Sequence, residues 1–236
     1  MTPNKWTEGL VLNTRRPLFA DVRIRRAVAN ALDRGSLAAS LSGFALPTSH
    51  VLSPNLLGFD MGPGYSLHSD VAGARRLGGD EHRRAVFAVF ADAAGAIYDP
   101  AFVERVRRQL AAIGVEVSVL PLPQGSTGWS GLLARADIAR VERNASQTID
   151  PVTDLALLPP YLLPVDHARL ARIASFSPPR RETAAAAFAA HLERDGVLIG
   201  FANAATPELV SKRLGCVIDH PEYPGVDLAA LCLPTH

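Results

Sequence analysis

The chain is poor in the features that usually announce a function. Its 236 residues carry 24 Lys+Arg against 23 Asp+Glu, a formal charge of +1. A balanced chain has no basic field with which to hold nucleic acid or an anionic membrane, so no nucleic-acid partner is expected. No run of about 18 apolar residues occurs, and Met1-Thr-Pro-Asn-Lys-Trp-Thr-Glu-Gly9 lacks the apolar centre of a signal peptide. As written, the sequence neither spans a membrane nor exports itself. Aromatic residues make up 6%. Lys5 and Lys212 are its lysines amid abundant alanine, a bias of coding composition without functional meaning.

Two cysteines are too few for a disulfide framework, and neither has a Cys-x-x-Cys or histidine partner at ligand spacing. Cys216 and Cys232 read either as a disulfide or as two reduced thiols, depending on the compartment. The seven histidines form no His-x-x-x-His pair, so neither metal nor cofactor is expected. Gln124-Gly-Ser-Thr-Gly-Trp-Ser-Gly131 is glycine-rich, but it lacks the Gly-Lys-Ser/Thr ending and the Gly-x-Gly-x-x-Gly spacing of phosphate loops. Ser126 and Ser130 fail the nucleophile-elbow pattern, because Gln124 and Leu132 stand where glycine is required. No catalytic residue is nominated. Trp129, among glycines and serines at a helix start, is the tryptophan best placed to meet a ligand.

What is present is an α/β pattern. Leu10-Val11-Leu12 reads as a strand ending at a turn. Ile24, Ala27, Val28, Ala31 and Leu32 mark a helix with Asp21 as N-cap and Gly35 beyond its end, with Arg23, Arg26, Asn30 and Arg34 on its solvated face. Pro47 to Tyr65 is a long Pro/Gly/Ser-rich loop and a candidate ligand contact. A short helix follows, from Ser69 or Asp70 to Leu77. Ala85–Phe90 is continuously apolar, as in a covered parallel strand. Asp99-Pro100 supplies an N-cap and first-turn proline for a helix with inner stripe Phe102, Val103, Val106, Leu110 and Ile113, and Val115–Val119 is the next strand of a βαβ unit. A strand at Ala136–Val141, a polar turn from Asn144 to Pro151, a helix from Pro178 to Arg194 and a late strand at Val197–Phe201 complete the pattern.

The stretch Leu12-Asn-Thr-Arg-Arg-Pro-Leu-Phe-Ala-Asp-Val-Arg-Ile-Arg-Arg-Ala-Val-Ala-Asn-Ala-Leu-Asp-Arg34 closely resembles a segment of the family 5 extracellular solute-binding proteins, the peptide- and nickel-type receptors of ABC importers. The order of the Pro-rich loop, the βαβ unit with Gln109-Leu-Ala-Ala-Ile-Gly-Val-Glu-Val117, the Asp150-Pro151 pair and the late helix is similar too, so the resemblance covers most of the chain. It implies a type II periplasmic-binding-protein-like lobe, with a mixed, mostly parallel sheet flanked by helices. On that reading residues 1–195 form a solute-binding lobe, and 196–236 return to pack on the other lobe of a protein about twice as long. The missing half would carry the export signal and, often, a lipid anchor.

The resemblance implies capture of a small-molecule or peptide-like solute between two lobes, delivery to an ABC transporter permease, and an extracellular or periplasmic location. The Cys216/Cys232 pair then tilts toward a disulfide. The loop ends of the sheet become the cleft side, which nominates Asn144, Ser146, Gln147 and Asp150, together with Trp129 and Ser49. One departure stands out. Peptide-binding members commonly carry an aspartate three residues before the Asp-Pro pair, in a Gly-Trp … Asp-Tyr context, where it pairs with the peptide's ammonium group. Here the position is Gln147, which cannot supply that charge-assisted contact. A ligand-sensing module of an intracellular regulator on the same fold is the alternative, and an unrecognised α/β enzyme the third reading.

Overall fold

A computed structural model describes residues 2–41, 44–53, 56, 64–79, 81–123, 129–144, 150–156 and 158–206. In chain order the elements are β1 (Thr2–Leu12), α1 (Pro17–Ala20), α2 (Val22–Ala31), α3 (Arg34–Ala38), β2 (Ala45–Pro47), α4 (Val71–Gly78), β3 (Arg83–Ala91), α5 (Pro100–Ala111) and β4 (Val115–Pro123). There follow α6 (Trp129–Arg135), β5 (Ile138–Asn144), α7 (Pro151–Leu155), a 3-10 turn (Pro159–Tyr161), α8 (Pro164–Ala174), α9 (Pro178–Arg194) and β6 (Leu198–Thr206).

The strands of the described residues make one mixed sheet in the order β2-β6-β1-β5-β3-β4. Its parallel character is confined to one half. β3 runs parallel to β4 over nine residue pairs, Arg83↔Val115 to Ala91↔Pro123, and to β5 only at Phe87↔Ile138 and Ala88↔Ala139. The pairings of β1 with β5, β1 with β6 and β2 with β6 are antiparallel. The expected mostly parallel sheet therefore holds for the βαβ half, where helical crossovers impose parallel direction. In the other half, α9 delivers the chain beside the end of β1, and β6 runs back along it from Val11↔Leu198 to Thr2↔Thr206. The late strand is thus an inner strand of this sheet, while residues 207–236, with Cys216 and Cys232, lie outside the described residues.

Strand alternation sends side chains to two cores. On the first face Leu10, Leu12, Phe87, Ile138 and Phe201 meet Ile24 and Val28 of α2 and Phe102, Val106 and Leu110 of α5. On the second, Val11, Ala88 and Leu198 meet Leu155 of α7, Ile173 of α8 and Phe188 and Leu192 of α9. Removing one of the fully buried rings, such as Phe102 or Phe201, would cost about 3–5 kcal/mol.

The helix starts at Asp21 and Asp70 follow the sequence signals. Asp21 accepts the amide of Arg23, Asp70 that of Gly73, and both cap their helices. Two expectations change. Gly35 does not end the first long helix, because the chain turns at Leu32–Asp33 and restarts: Asp33 accepts the amide of Ser36, and Gly35 lies inside α3. Arg34, expected on a solvated face, is 1% exposed. Its Nε donates to Gly200 O (3.0 Å) and its Nη1 to Ala29 O, Leu32 O and Ser66 O, so it stitches α2, β6 and the segment before α4 together.

Candidate functional site

The parallel half places β3 between β4 and β5, and the chain leaves the carboxyl ends of β3 and β5 toward opposite faces. After β3 it enters α5, whose Phe102 and Val106 join the first core; after β5 it enters α7, whose Val152 and Leu155 join the second. Neighbouring parallel strands with connections diverging in this way leave a crevice at their carboxyl ends, the usual ligand position in open α/β sheets. Beyond Ala88 the β5-facing edge of β3 is taken by the returning segment Ile97–Tyr98, which bridges Ala91 and donates the Tyr98 amide to Phe90 O, so β3 and β5 pair only briefly.

One wall of the crevice is the β3–α5 connection, residues 92–99, which is ordered by its own hydrogen bonds. Asp92 Oδ1 accepts from the amides of Ala94 (2.9 Å) and Ala96 (2.8 Å), and the Asp92 amide donates to Ala96 O. Gly95 takes φ +87°, which a side chain would oppose. Ile97 then bridges Ala91 in antiparallel fashion, and the Tyr98 amide donates to Phe90 O, so the connection folds back along the end of β3.

At Asp99 the chain adopts φ +52°, the one positive φ of a non-glycine residue among those described. The sequence makes Asp99 an N-cap, yet its side chain makes no cap hydrogen bond. Its carboxylate instead accepts from Arg140 Nη1 at 2.8 Å. Arg140 also meets Glu8 in bidentate fashion, Nε–Oε2 3.0 Å and Nη2–Oε1 3.2 Å. The three side chains are 9–11% exposed, and the guanidinium lies 5.1 Å from the ring centroid of Phe102, itself stacked on Phe201 at 5.0 Å. One arginine of β5 thereby fastens β1, β5 and the connection after β3. Burial opposes its charge, but the hydrogen bonds and charges of Glu8 and Asp99 outweigh that and hold Arg140 above its ordinary pKa. Glu142 sits directly opposite Glu8 in the β1–β5 register. Burial first, then the charge of Glu8, raises its pKa.

The residues nominated from the sequence divide between two places. Asn144 ends β5, at the other wall of the crevice, and Trp129 opens α6 on the connection from β4 to β5. Asp150 follows on the same side, but it caps α7 by accepting the Val152 amide (3.0 Å), and Arg181 Nε lies 3.3 Å from its Oδ2. Ser146 and Gln147 lie outside the described residues.

Ser49 is elsewhere, beside β6 at the other side of the sheet. Its Oγ and Glu193 Oε1 both crowd Gly64, where an added Cβ would sit 2.6 Å from each. The structure does not bring Ser49 to the crevice. The sequence reading missed Arg140, Glu8 and the Asp92–Asp99 connection. An arginine amid the apolar Ile138–Val141 strand was a usable signal, because a buried cation demands acceptors. Among the described residues, no group of three or more His, Cys, Asp or Glu side chains is placed to hold a metal ion.

No curated protein matches the chain. Among solved structures it is similar to HbpA2 from Haemophilus parasuis, with 15% identity, TM-score 0.74, and coverage of 99% of this chain and 49% of that one. It is also similar to the periplasmic binding protein DppA from Helicobacter pylori in complex with the peptide STSA (18% identity, TM-score 0.68, 84% and 41% covered). A nickel ABC transporter protein from Bacillus halodurans is a further match (16% identity, TM-score 0.69, 86% and 46% covered). At these identities the likeness is one of fold, and the chain spans about half the length of each. The sequence profile of the bacterial extracellular solute-binding proteins, family 5, middle region, matches residues 1–158, and the chain belongs to that family.

Proposed function

We propose that the chain is one lobe of a two-lobed receptor that captures a small or peptide-like solute for an ABC importer outside the cytoplasm. The observation that carries this reading is the switch point at the carboxyl ends of β3 and β5, where the two connections leave for opposite faces of the sheet and the one after β3 is ordered by its own hydrogen bonds. The family binds solutes rather than transforming them, so the chain is not an enzyme. Solved structures that share the fold hold the peptide STSA, the dipeptide Met-Leu and the peptide RPPGFSPFR, which supports a peptide-like solute here. Gln147, a neutral amide, argues against a free ammonium group as the anchor at that position. A second lobe would close over the crevice, and the whole receptor would present the solute to a permease.

A receptor of about micromolar affinity binds with about 8 kcal/mol, and one lobe supplying half the contacts keeps about 4, near millimolar. Calorimetry on the purified chain therefore gives millimolar constants for any solute that the complete receptor holds tightly. Micromolar binding by the chain alone would contradict the two-lobed reading. Mass spectrometry of small molecules that copurify with the full-length gene product identifies the solute. A nucleotide or inorganic ion as the sole copurified species would count against a peptide-like one.

A further inference from the structure

We propose that Tyr98 is the residue through which the β3–α5 connection touches the solute, stacking on a flat group such as an aromatic ring or a peptide plane. The inference rests on the solute-binding reading and names the chemistry of one wall of that site. Tyr98 is 44% exposed although it sits in a segment held by hydrogen bonds on both sides. Ile97 packs on the first core, and Phe90, the partner of the Tyr98 amide, packs against the second. Alternation along the bridged segment then turns Tyr98 to the second side, where the chain leaves β5 for α7.

The ring is held in place at little entropic cost to a ligand. The Asp92 turn fixes the segment before it, and Asp99, immediately after it, is locked in left-handed conformation by Arg140. Backbone strain maintained by a buried ion pair beside an exposed aromatic ring is the pattern of a pre-organised binding wall. Tyrosine offers a broad apolar face with only two side-chain torsions to fix. Arg140 has no donor to spare for a ligand, because Glu8 and Asp99 both engage it, and all three side chains are largely buried behind the wall. The exposed group that this wall offers is the Tyr98 ring, whose recognition is stacking.

Amide-resolved NMR of the isotopically labelled chain, titrated with L-phenylalanine amide and L-leucine amide to tens of millimolar, tests this. Phenylalanine amide is expected to shift the amide signals of Ala94 to Asp99 and to bind about three- to tenfold more tightly than leucine amide. Tyr98→Phe should keep the constant within about twofold and Tyr98→Leu should lose the preference, since stacking needs the flat face and not the hydroxyl. Shifts confined to Asn144–Asp150, an unchanged constant in Tyr98→Leu, or no shift at all would overturn the contact. Those outcomes leave the receptor reading standing, since it is decided separately by the copurifying solute.

Discussion

Arg34 and Arg140 are both largely withdrawn from solvent, and they are held in opposite ways. Arg34, at the edge where β6 meets β2, donates to four main-chain carbonyls, and burial pulls its pKa down to about 10. Arg140, at the crevice, is held by the carboxylates of Glu8 and Asp99, and its pKa rises. Neutral acceptors hold a cation without being harmed by its loss beyond their own lost hydrogen bonds. Carboxylates become a burden once the cation is gone. Arg34 is thus a pin whose strength lies in geometry, and Arg140 a clamp whose strength lies in charge. The clamp joins β1, β5 and the connection after β3, and the pin joins α2, β6 and the segment before α4.

The largest effect should come from opening the clamp. Arg140→Met leaves Glu8 and Asp99 buried without their cation and should cost about 3–5 kcal/mol in denaturant unfolding. It should also release the 92–99 connection, seen as faster amide exchange there than in α9. A loss below about 1 kcal/mol would show that the clamp is solvated and the comparison empty. Removing the pin should cost less. Arg34→Met strands the carbonyls of Gly200 and Ser66 while filling the space with apolar atoms, for a loss of about 1–3 kcal/mol. Its exchange signature should fall on the segment before α4 and leave Ala94–Asp99 unchanged.

The smallest effect sharpens the charge account. Glu142 has its native pKa raised above the ordinary value of 4.5, by burial and by Glu8. Between those two values the native state binds more protons than the unfolded chain, so stability falls as pH rises through that window, and the cost is fully present at neutral pH. Glu142→Gln should therefore stabilise the protein at pH 7 by a few tenths of a kcal/mol, given its half-exposed position, and give nothing at a pH well below 4.5. A Tm that fell at neutral pH would mean that Glu142 is held by a favourable contact.

The βαβ half was legible because its signals are local. The apolar run of β3, the Val115–Val119 alternation and the glycine stop at Gly114, φ +77°, each report within a few residues. What escaped depends on distance along the chain. Asp99-Pro100 satisfies the pattern of a helix cap, and only the fold reveals that its carboxylate belongs to Arg140, 41 residues later. Arg34 lies on the polar side of a helical pattern that stops before it, so periodicity assigned it to solvent. The pattern also cannot show that Gly200 O waits for it across 166 residues. The antiparallel half was illegible for the same reason, since strand direction follows from where α9 delivers the chain. The family resemblance nominated Asn144, Trp129 and Asp150 as residues at the loop ends of the sheet. Tyr98 could not be read at all, because its place beside Phe90 follows from the return of the connection along β3.

Two neighbouring inner strands of the sheet are its most remote in sequence. β1 and β6 pair from Val11↔Leu198 to Thr2↔Thr206, and Thr7 bonds Asn203 across 196 residues. On the ribosome, the βαβ half and α2 can collapse as soon as they emerge, yet β1 keeps one edge open until the last described strand has been made. Synthesis at about 5–20 residues per second leaves that edge bare for about ten seconds or more. An unpaired strand with apolar neighbours is a target for wrong partners. The described sheet is therefore completed late, by β6, the last of the described strands, which takes an inner place between β2 and β1, and its folding rate will be set by that long closure rather than by its helices.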